Sequence, residues 1–414
     1  MSFAYRHGVL HAEDLPLDTI AQRFGTPCFV YSRAAIEGAL AEYQAALADR
    51  DALICYSVKA NSNLAILALL ARRGCGFDIV SGGELSRVLA AGGDPGKVLF
   101  SGVGKTRAEI ELALRHGVGC INLESEAELE RVDEIARRLG KRAPIAFRVN
   151  PDIDARTHPY ISTGLRENKF GVAHADAERL YQRARTLAGV DIVGIGCHIG
   201  SLLADPAPLV AATERLADLV DRLERGGVRL QHVDIGGGVG IRYRDEAQQP
   251  IEAFVKGVLG VLGARRHTLV LDPGRSIVGN AGVLLTRVEY VKPGAARSFL
   301  VVDAAMNDFI RPPLYDAWHE VLPVRAQTAA GAALYDIVGP VCESADFLAR
   351  ERSLAAGEGD LLALMSAGAY GMAMSSNYNT RPRAAEVLVH GSGADLVRSR
   401  ETVESLFALE RVPA

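Results

Sequence analysis

The chain has 414 residues, with 46 Lys and Arg against 50 Asp and Glu, a formal net charge of −4. This balance argues against a nucleic-acid partner, which calls for a basic face. A composition of 49% hydrophobic and 23% charged residues supports a large buried core, excludes global disorder, and at this length suggests two or three domains.

The opening stretch, MSFAYRHGVLHAED, has no long apolar core before its charges, so no secretory signal is expected there. His7 and His11 have the spacing of a helical metal pair. No helix signal or third ligand accompanies them, and no metal is expected. From Ile54 onward, short apolar runs recur: ICYSV, FDIV, VLF, INL, IAFRV, IVGIG, VDI and LVL. Between the early runs lie helical periods that end at glycine, as in LAILALLARRG, AEIELALRHG and AELERVDEIARRLG. Eight buried strands alternating with helices predict a parallel α/β architecture of the size of a (β/α)8 TIM-type barrel, with a doubly wound sheet as the alternative. The barrel is placed over residues 28–275.

After Ser276 the texture changes. GVLLTRVEYVK, SFLVVDA, ALYDIVGPVC, GDLLALM and AEVLVHG are β-like, with short or absent helical periods between them. A second, mainly β domain is expected over residues 276–414, joined by residues 1–27. The long charge-free stretch between Asp360 and Arg381 is too rich in Gly, Ser and Asn for a membrane span. Of the cysteines at 28, 55, 75, 120, 197 and 342, none forms a CxxC pair. Disulfides and a cysteine zinc site are therefore not expected, and a reducing cytoplasm is.

In a barrel the chemistry sits at the C-terminal ends of the strands. Those ends carry Lys59, Asp78, Ser101-Gly102, Glu124, Arg148, His198 with Ser201, Asp234 with Gly236-Gly237-Gly238, and Asp272-Pro273-Gly274-Arg275. A lysine in a closed pocket can lose its proton and attack an aldehyde, so Lys59 is a candidate Schiff-base amine; a solvated rim charge is the plainer alternative. The glycine run lets backbone N–H groups approach an anion, or makes only a tight turn. His198 can stack on a planar ring or move protons, unless it is a structural histidine. Cys342, beside Glu343, is either a small buried thiol or a proton donor.

The motifs YSVKANSN, GFDIVSGGEL, FSGVGKT, RVNPDIDARTHPYISTG, NKFG, CHIGS, DIGGGVG, DPGRS, VGPVCESAD, GAYG and YNTRPRAAEVLV run nearly end to end. With them the chain resembles bacterial diaminopimelate decarboxylase, of the fold that pairs an alanine-racemase-like barrel with a β domain. The resemblance implies decarboxylation of meso-2,6-diaminopimelate to L-lysine and CO2, the last step of lysine biosynthesis, with pyridoxal 5'-phosphate as cofactor. It implies that Lys59 holds the cofactor covalently and His198 stacks on its ring. Asp78, Ser201, Gly237, Gly238, Pro273, Gly274, Arg275 and Tyr370 would complete the cofactor site. Asp272 would face the pyridine nitrogen, where the family usually has Glu, one methylene longer. Arg275, Arg311 and Tyr315 would bind the substrate's distal carboxylate and Glu343 its distal ammonium, Tyr370 would also contact substrate, and Cys342 would deliver a proton to Cα. The family's Cys342 and Glu343 reach into a partner's barrel, which implies a homodimer with shared sites. A related decarboxylase for carboxynorspermidine or ornithine and a non-catalytic regulatory homologue are the other readings.

Overall fold

The computed structural model describes residues 3–153, 169–326 and 332–413. The end of the RVNPDIDARTHPYISTG motif, residues 154–164, and Asn168 of NKFG lie outside them. The chain divides into two units: Leu40–Ile241 with Ala247–Ser276, and Met1–Ala39 with Arg242–Glu246 and Ile277–Ala414.

Among the described residues of the first unit, eight parallel strands close into a TIM-type barrel: Ala52–Ser57, Gly76–Ile79, Val98–Phe100, Cys120–Leu123, Ala143–Asn150, Val190–Gly196, His232–Asp234 and Thr268–Leu271. The last strand closes on the first, with Leu271 opposite Ile54. Small side chains fill part of the interior, where Cys55, Leu99, Cys120, Ala146 and Val270 pack together. Each strand run read from the sequence is present, with ends moved by a residue or two. Four of the barrel unit's helices begin where side chains satisfy their first N–H groups. Asn63 caps Leu64–Arg72, Ser81 caps Gly82–Ala90, and Ser125 caps Glu126–Arg138. Thr106 and Glu109 form a reciprocal capping box on Arg107–His116, which ends at Gly117 in the left-handed conformation at φ 72°. These caps leave the strand-to-helix turns short, so the rim residues come from fixed backbone.

The second unit is built on the long strand Gly282–Lys292, which pairs antiparallel with Ser298–Val302, Cys28–Ser32 and Leu361–Leu364. One edge continues through Ala333–Val338 to Phe347–Leu354, the other through Ala385–His390 to Gly393–Arg398. Leu10, Leu17, Ile20, Val30, Val283 and Val387 form its core, so the N-terminal residues belong to this unit.

The chain enters the barrel unit later than residue 28. Cys28–Ser32 lies between Gly282–Lys292 and Ala385–His390 in the β unit, all five of its residues buried. The sequence conceals this because the strand runs directly into the helix Arg33–Ala46, which has the same β-then-α texture as the barrel repeats. Arg242–Glu246 also groups with the β unit, where no change of composition marks it.

Candidate active site

Lys59 sits in the single turn Val58–Ala60 that directly follows the first barrel strand. Its amine donates to Asp78 Oδ2 at 2.9 Å. Asp78 ends the next strand and is 1% exposed. The hydroxyl of Ser101, from the end of the third strand, donates to the other oxygen of Asp78 at 2.6 Å. The side-chain amide of Asn122, on the fourth, donates in turn to Ser101 Oγ at 3.1 Å. Burial alone would raise the Asp78 carboxyl. Lys59, the Ser101 hydrogen bond and nearby His198 outweigh it and hold the group below the usual carboxylate range. Asp78 therefore favours its anionic form, and its hydrogen bond orients the Lys59 amine.

Behind this pair lies a second lysine, Lys105, whose side chain is fully buried. It donates to Glu128 at 2.8 Å and to the carbonyls of Gly102 and Asn122 at 2.8 and 2.6 Å. With Ser101 and Asn122 it ties the strand ends together under the rim.

On the opposite arc, Gly236-Gly237-Gly238 turns sharply, with φ of 77° at Gly236 and 88° at Gly238. A Cβ on Gly237 would lie 2.6 Å from Asp272 Oδ1, and one on Gly236 would lie 2.7 Å from His198 Nδ1. Only a bare backbone fits this approach. The Gly237 N–H donates to His198 Nδ1 at 3.4 Å, and His198 Nδ1 is 3.6 Å from Asp272 Oδ1. Among the described residues that Asp272 oxygen is buried with no hydrogen-bond partner. Beside it, Pro273 accepts the Ser57 N–H, and Gly274 packs on Ser57 and Ala60. Arg275, 5% exposed, donates twice to Ser201 Oγ at 3.3 Å. Thus Lys59, Asp78, His198, Ser201, Gly237, Gly238 and Asp272–Arg275 all belong to one rim of the barrel unit.

Asp234, at the end of its strand, accepts the Gly236 N–H at 2.8 Å under the glycine turn. Burial, reinforced by Asp272 and Asp78, pushes its carboxyl well above the usual range.

The remaining expected residues belong to the β unit. Arg311 and Tyr315 begin and end one short helix, and the Arg311 guanidinium lies 5.7 Å from the Tyr315 ring centroid. Arg311 is 4% exposed. It also lies over Tyr243, at 5.5 Å, and donates to the Tyr243 hydroxyl at 3.4 Å. Cys342 and Glu343 follow the strand Ala333–Val338 and are both exposed. The Cys342 N–H donates to the Asn379 side chain at 2.9 Å, and the Tyr378 hydroxyl donates to Glu343 at 3.0 Å. The other five cysteines are buried. Burial pushes the Cys28, Cys75 and Cys197 thiols up to about 12, so these are inert packing groups. Tyr370 lies between Leu361–Leu364 and Ala385–His390, half-buried, with φ of 56°.

The family described as pyridoxal-dependent decarboxylase, pyridoxal binding domain, matches residues 33–279. A diaminopimelate decarboxylase of Pseudomonas aeruginosa is 58% identical over 409 residues, 99% of this chain and 98% of that one. The chain belongs to the diaminopimelate decarboxylase family. Diaminopimelate decarboxylase of Helicobacter pylori in complex with L-lysine has the same fold, with a TM-score of 0.92 and 41% identity over 95% of this chain and 99% of that one. Diaminopimelate decarboxylase of M. jannaschii, also in complex with L-lysine, gives a TM-score of 0.95 at 35% identity, covering 100% and 98%.

The rim fits the family's cofactor. Pyridoxal phosphate has an aldehyde, a basic ring nitrogen and a phosphate. The barrel unit of this diaminopimelate decarboxylase relative presents an amine, a buried carboxylate oxygen lacking a donor, and a glycine turn that a Cβ would block. Ser57, Ser101, Asn122 and Asp234 were not expected as site residues. Ser101 and Asp234 stood at predicted strand ends, but only their hydrogen-bond partners reveal what they do.

Proposed function

We propose that this protein decarboxylates meso-2,6-diaminopimelate to L-lysine and CO2, with Lys59 as the residue that holds pyridoxal phosphate. The observation that carries the reading is the Lys59–Asp78 pair facing the donor-less Asp272 oxygen across one barrel rim. When bound, the cofactor supplies an electron-withdrawing ring that accepts the electron pair left by CO2. Asp272 would hold the proton on the ring nitrogen, and the side chain of His198 would cover the ring. Asp78 would orient the Lys59 side chain toward the cofactor's aldehyde. The glycine turn, Ser201 and Arg275 would hold the phosphate, with Tyr370 adding a hydroxyl.

Diaminopimelate carries an amino-acid group at each end. Its distal carboxylate suits the planar fork of Arg311 with Tyr315, and its distal ammonium suits Glu343. Ornithine and carboxynorspermidine have no distal carboxylate and would leave the buried guanidinium without that partner. The Cys342 thiol would give its proton to Cα, at the position CO2 leaves. Cys342 and Glu343 are exposed in this chain, which supports their serving the barrel of a second copy in a homodimer. A reducing cytoplasm would keep that thiol usable. Among the described residues no helix is long and apolar enough to cross a membrane.

The direct test is product analysis. Purified protein with pyridoxal phosphate and meso-diaminopimelate should release one CO2 per L-lysine formed. CO2 release without L-lysine, or neither, would overturn the reading.

A further inference from the structure

His319 carries no role in the proposed function. It is buried, at 0% exposure, in the β unit, beyond the helix that carries Arg311 and Tyr315. Its Nδ1 lies 2.9 Å from the Met365 carbonyl oxygen. A carbonyl can only accept, so Nδ1 carries a proton. On the other side of the ring, Arg311 Nε donates to His319 Nε2 at 3.4 Å. Guanidinium nitrogen can only donate, so Nε2 presents its lone pair and the imidazole is the neutral Nδ1–H tautomer.

The ring cannot turn away from this arrangement easily. Phe309 packs on it edge-to-face at 4.6 Å and 70°, and Tyr243 does so at 5.1 Å and 83°. Tyr243 also accepts from Arg311 through its hydroxyl. The Arg352 side chain donates to the His319 carbonyl at 3.3 Å and fixes the backbone. Arg311 is therefore held along its Nε edge by a rigid acceptor that takes none of its charge. A carboxylate in the same place would orient the guanidinium but also neutralise it. A neutral imidazole orients it without placing a negative charge beside it.

We propose that His319 is the positioning residue for Arg311, and so a determinant of the preference for substrates with a distal carboxylate. This rests on the reading that Arg311 binds that carboxylate.

The test is steady-state kinetics of the holoenzyme with meso-diaminopimelate, comparing His319→Phe, His319→Asn and His319→Gln in the wild-type and Arg311→Ala backgrounds. Phe keeps the ring packing without an acceptor. Asn can keep the Met365 bond but is too short to reach Arg311. Gln is long enough to offer an acceptor to Arg311. Loss of one hydrogen bond to a charged group should raise KM roughly tenfold in Phe and Asn, with kcat within about twofold. Gln should return KM to within about threefold of wild type. In the Arg311→Ala background the same His319 changes should add nothing. If Arg311→Ala raises KM while neither Phe nor Asn does, the His319 proposal is overturned and the Arg311 reading stands. If Arg311→Ala leaves KM unchanged, both fall. A loss confined to kcat in Phe and Asn also overturns the proposal, because orientation of a binding group acts on KM.

Discussion

The barrel unit and the β unit carry their reactive groups in opposite ways. In the barrel, Lys59 is tied to Asp78, Asp78 to Ser101, and Ser101 to Asn122, each from a successive strand end. The site is assembled by closing the sheet, and the buried Asp78 partners a half-buried Lys59 in place. In the β unit, Arg311 is buried and braced by neighbours, but Cys342 and Glu343 stand exposed on a loop and are held only by Asn379 and Tyr378. The Lys59–Asp78 pair is made within the barrel unit before any ligand arrives. Cys342 and Glu343 stand in solvent, and the roles proposed for them call for something to cover them. The contrast separates a half whose polar groups are partnered by folding from a half whose proposed chemistry awaits a second copy.

The contrast can be broken most sharply at Lys59. Lys59→Ala should abolish borohydride trapping of the cofactor and reduce turnover by roughly a thousandfold or more, since no other amine takes its place. Continued trapping would mean a different lysine is used. Cys342→Ala should slow L-lysine formation by roughly 10²–10⁴-fold, the usual worth of a positioned proton donor, while the bound-cofactor absorbance stays unchanged. Mixing the two inactive variants and allowing subunits to exchange should restore roughly a quarter of the activity, because half the dimers would be mixed and each would hold one intact site of its two. No recovery would argue that each chain completes its own site.

Two further changes probe stability in each unit. Lys105→Met in the barrel leaves Glu128 buried without its cation. It should cost about 3–5 kcal/mol in denaturant unfolding, as broken buried pairs do. A loss under 1 kcal/mol would show that the strand ends do not depend on the pair. Asp308 in the β unit gives a smaller, pH-dependent effect. It is 1% exposed, with Oδ1 buried and lacking a partner among the described residues. Burial pushes its carboxyl up to about 6. The folded state then holds a proton that the unfolded state releases near pH 4. Its contribution is fully present below that pH and lost as pH rises through 6. Asp308→Asn should remove about 2 kcal/mol of the fall in stability between pH 4.5 and pH 7. An unchanged slope would mean another group titrates there.

Much of the fold could be read because its strands are short apolar runs between polar turns. Val98–Phe100 and Gly282–Lys292 lie where VLF and GVLLTRVEYVK placed them. Phe347–Leu354 was missed because its exposed side chains make FLARERSL read as a charged stretch. Cys28–Ser32 was assigned to the wrong unit because pairing partners distant in sequence decide where a strand belongs. The candidate site divides the same way. Lys59, His198 and the glycine run announce themselves by residue type at strand ends. Asp234 and His319 do not, because their roles come from burial and from which atom each hydrogen bond reaches.

Substrate choice is the claim on which the rest depends, and a single competition assay tests it. Holoenzyme is given equal concentrations of meso-diaminopimelate and L-ornithine, and the initial ratio of L-lysine to putrescine gives the ratio of kcat/KM directly. A site built around a buried arginine for a distal carboxylate should yield L-lysine in at least a hundredfold excess. Putrescine formed as fast as L-lysine, or faster, would contradict it.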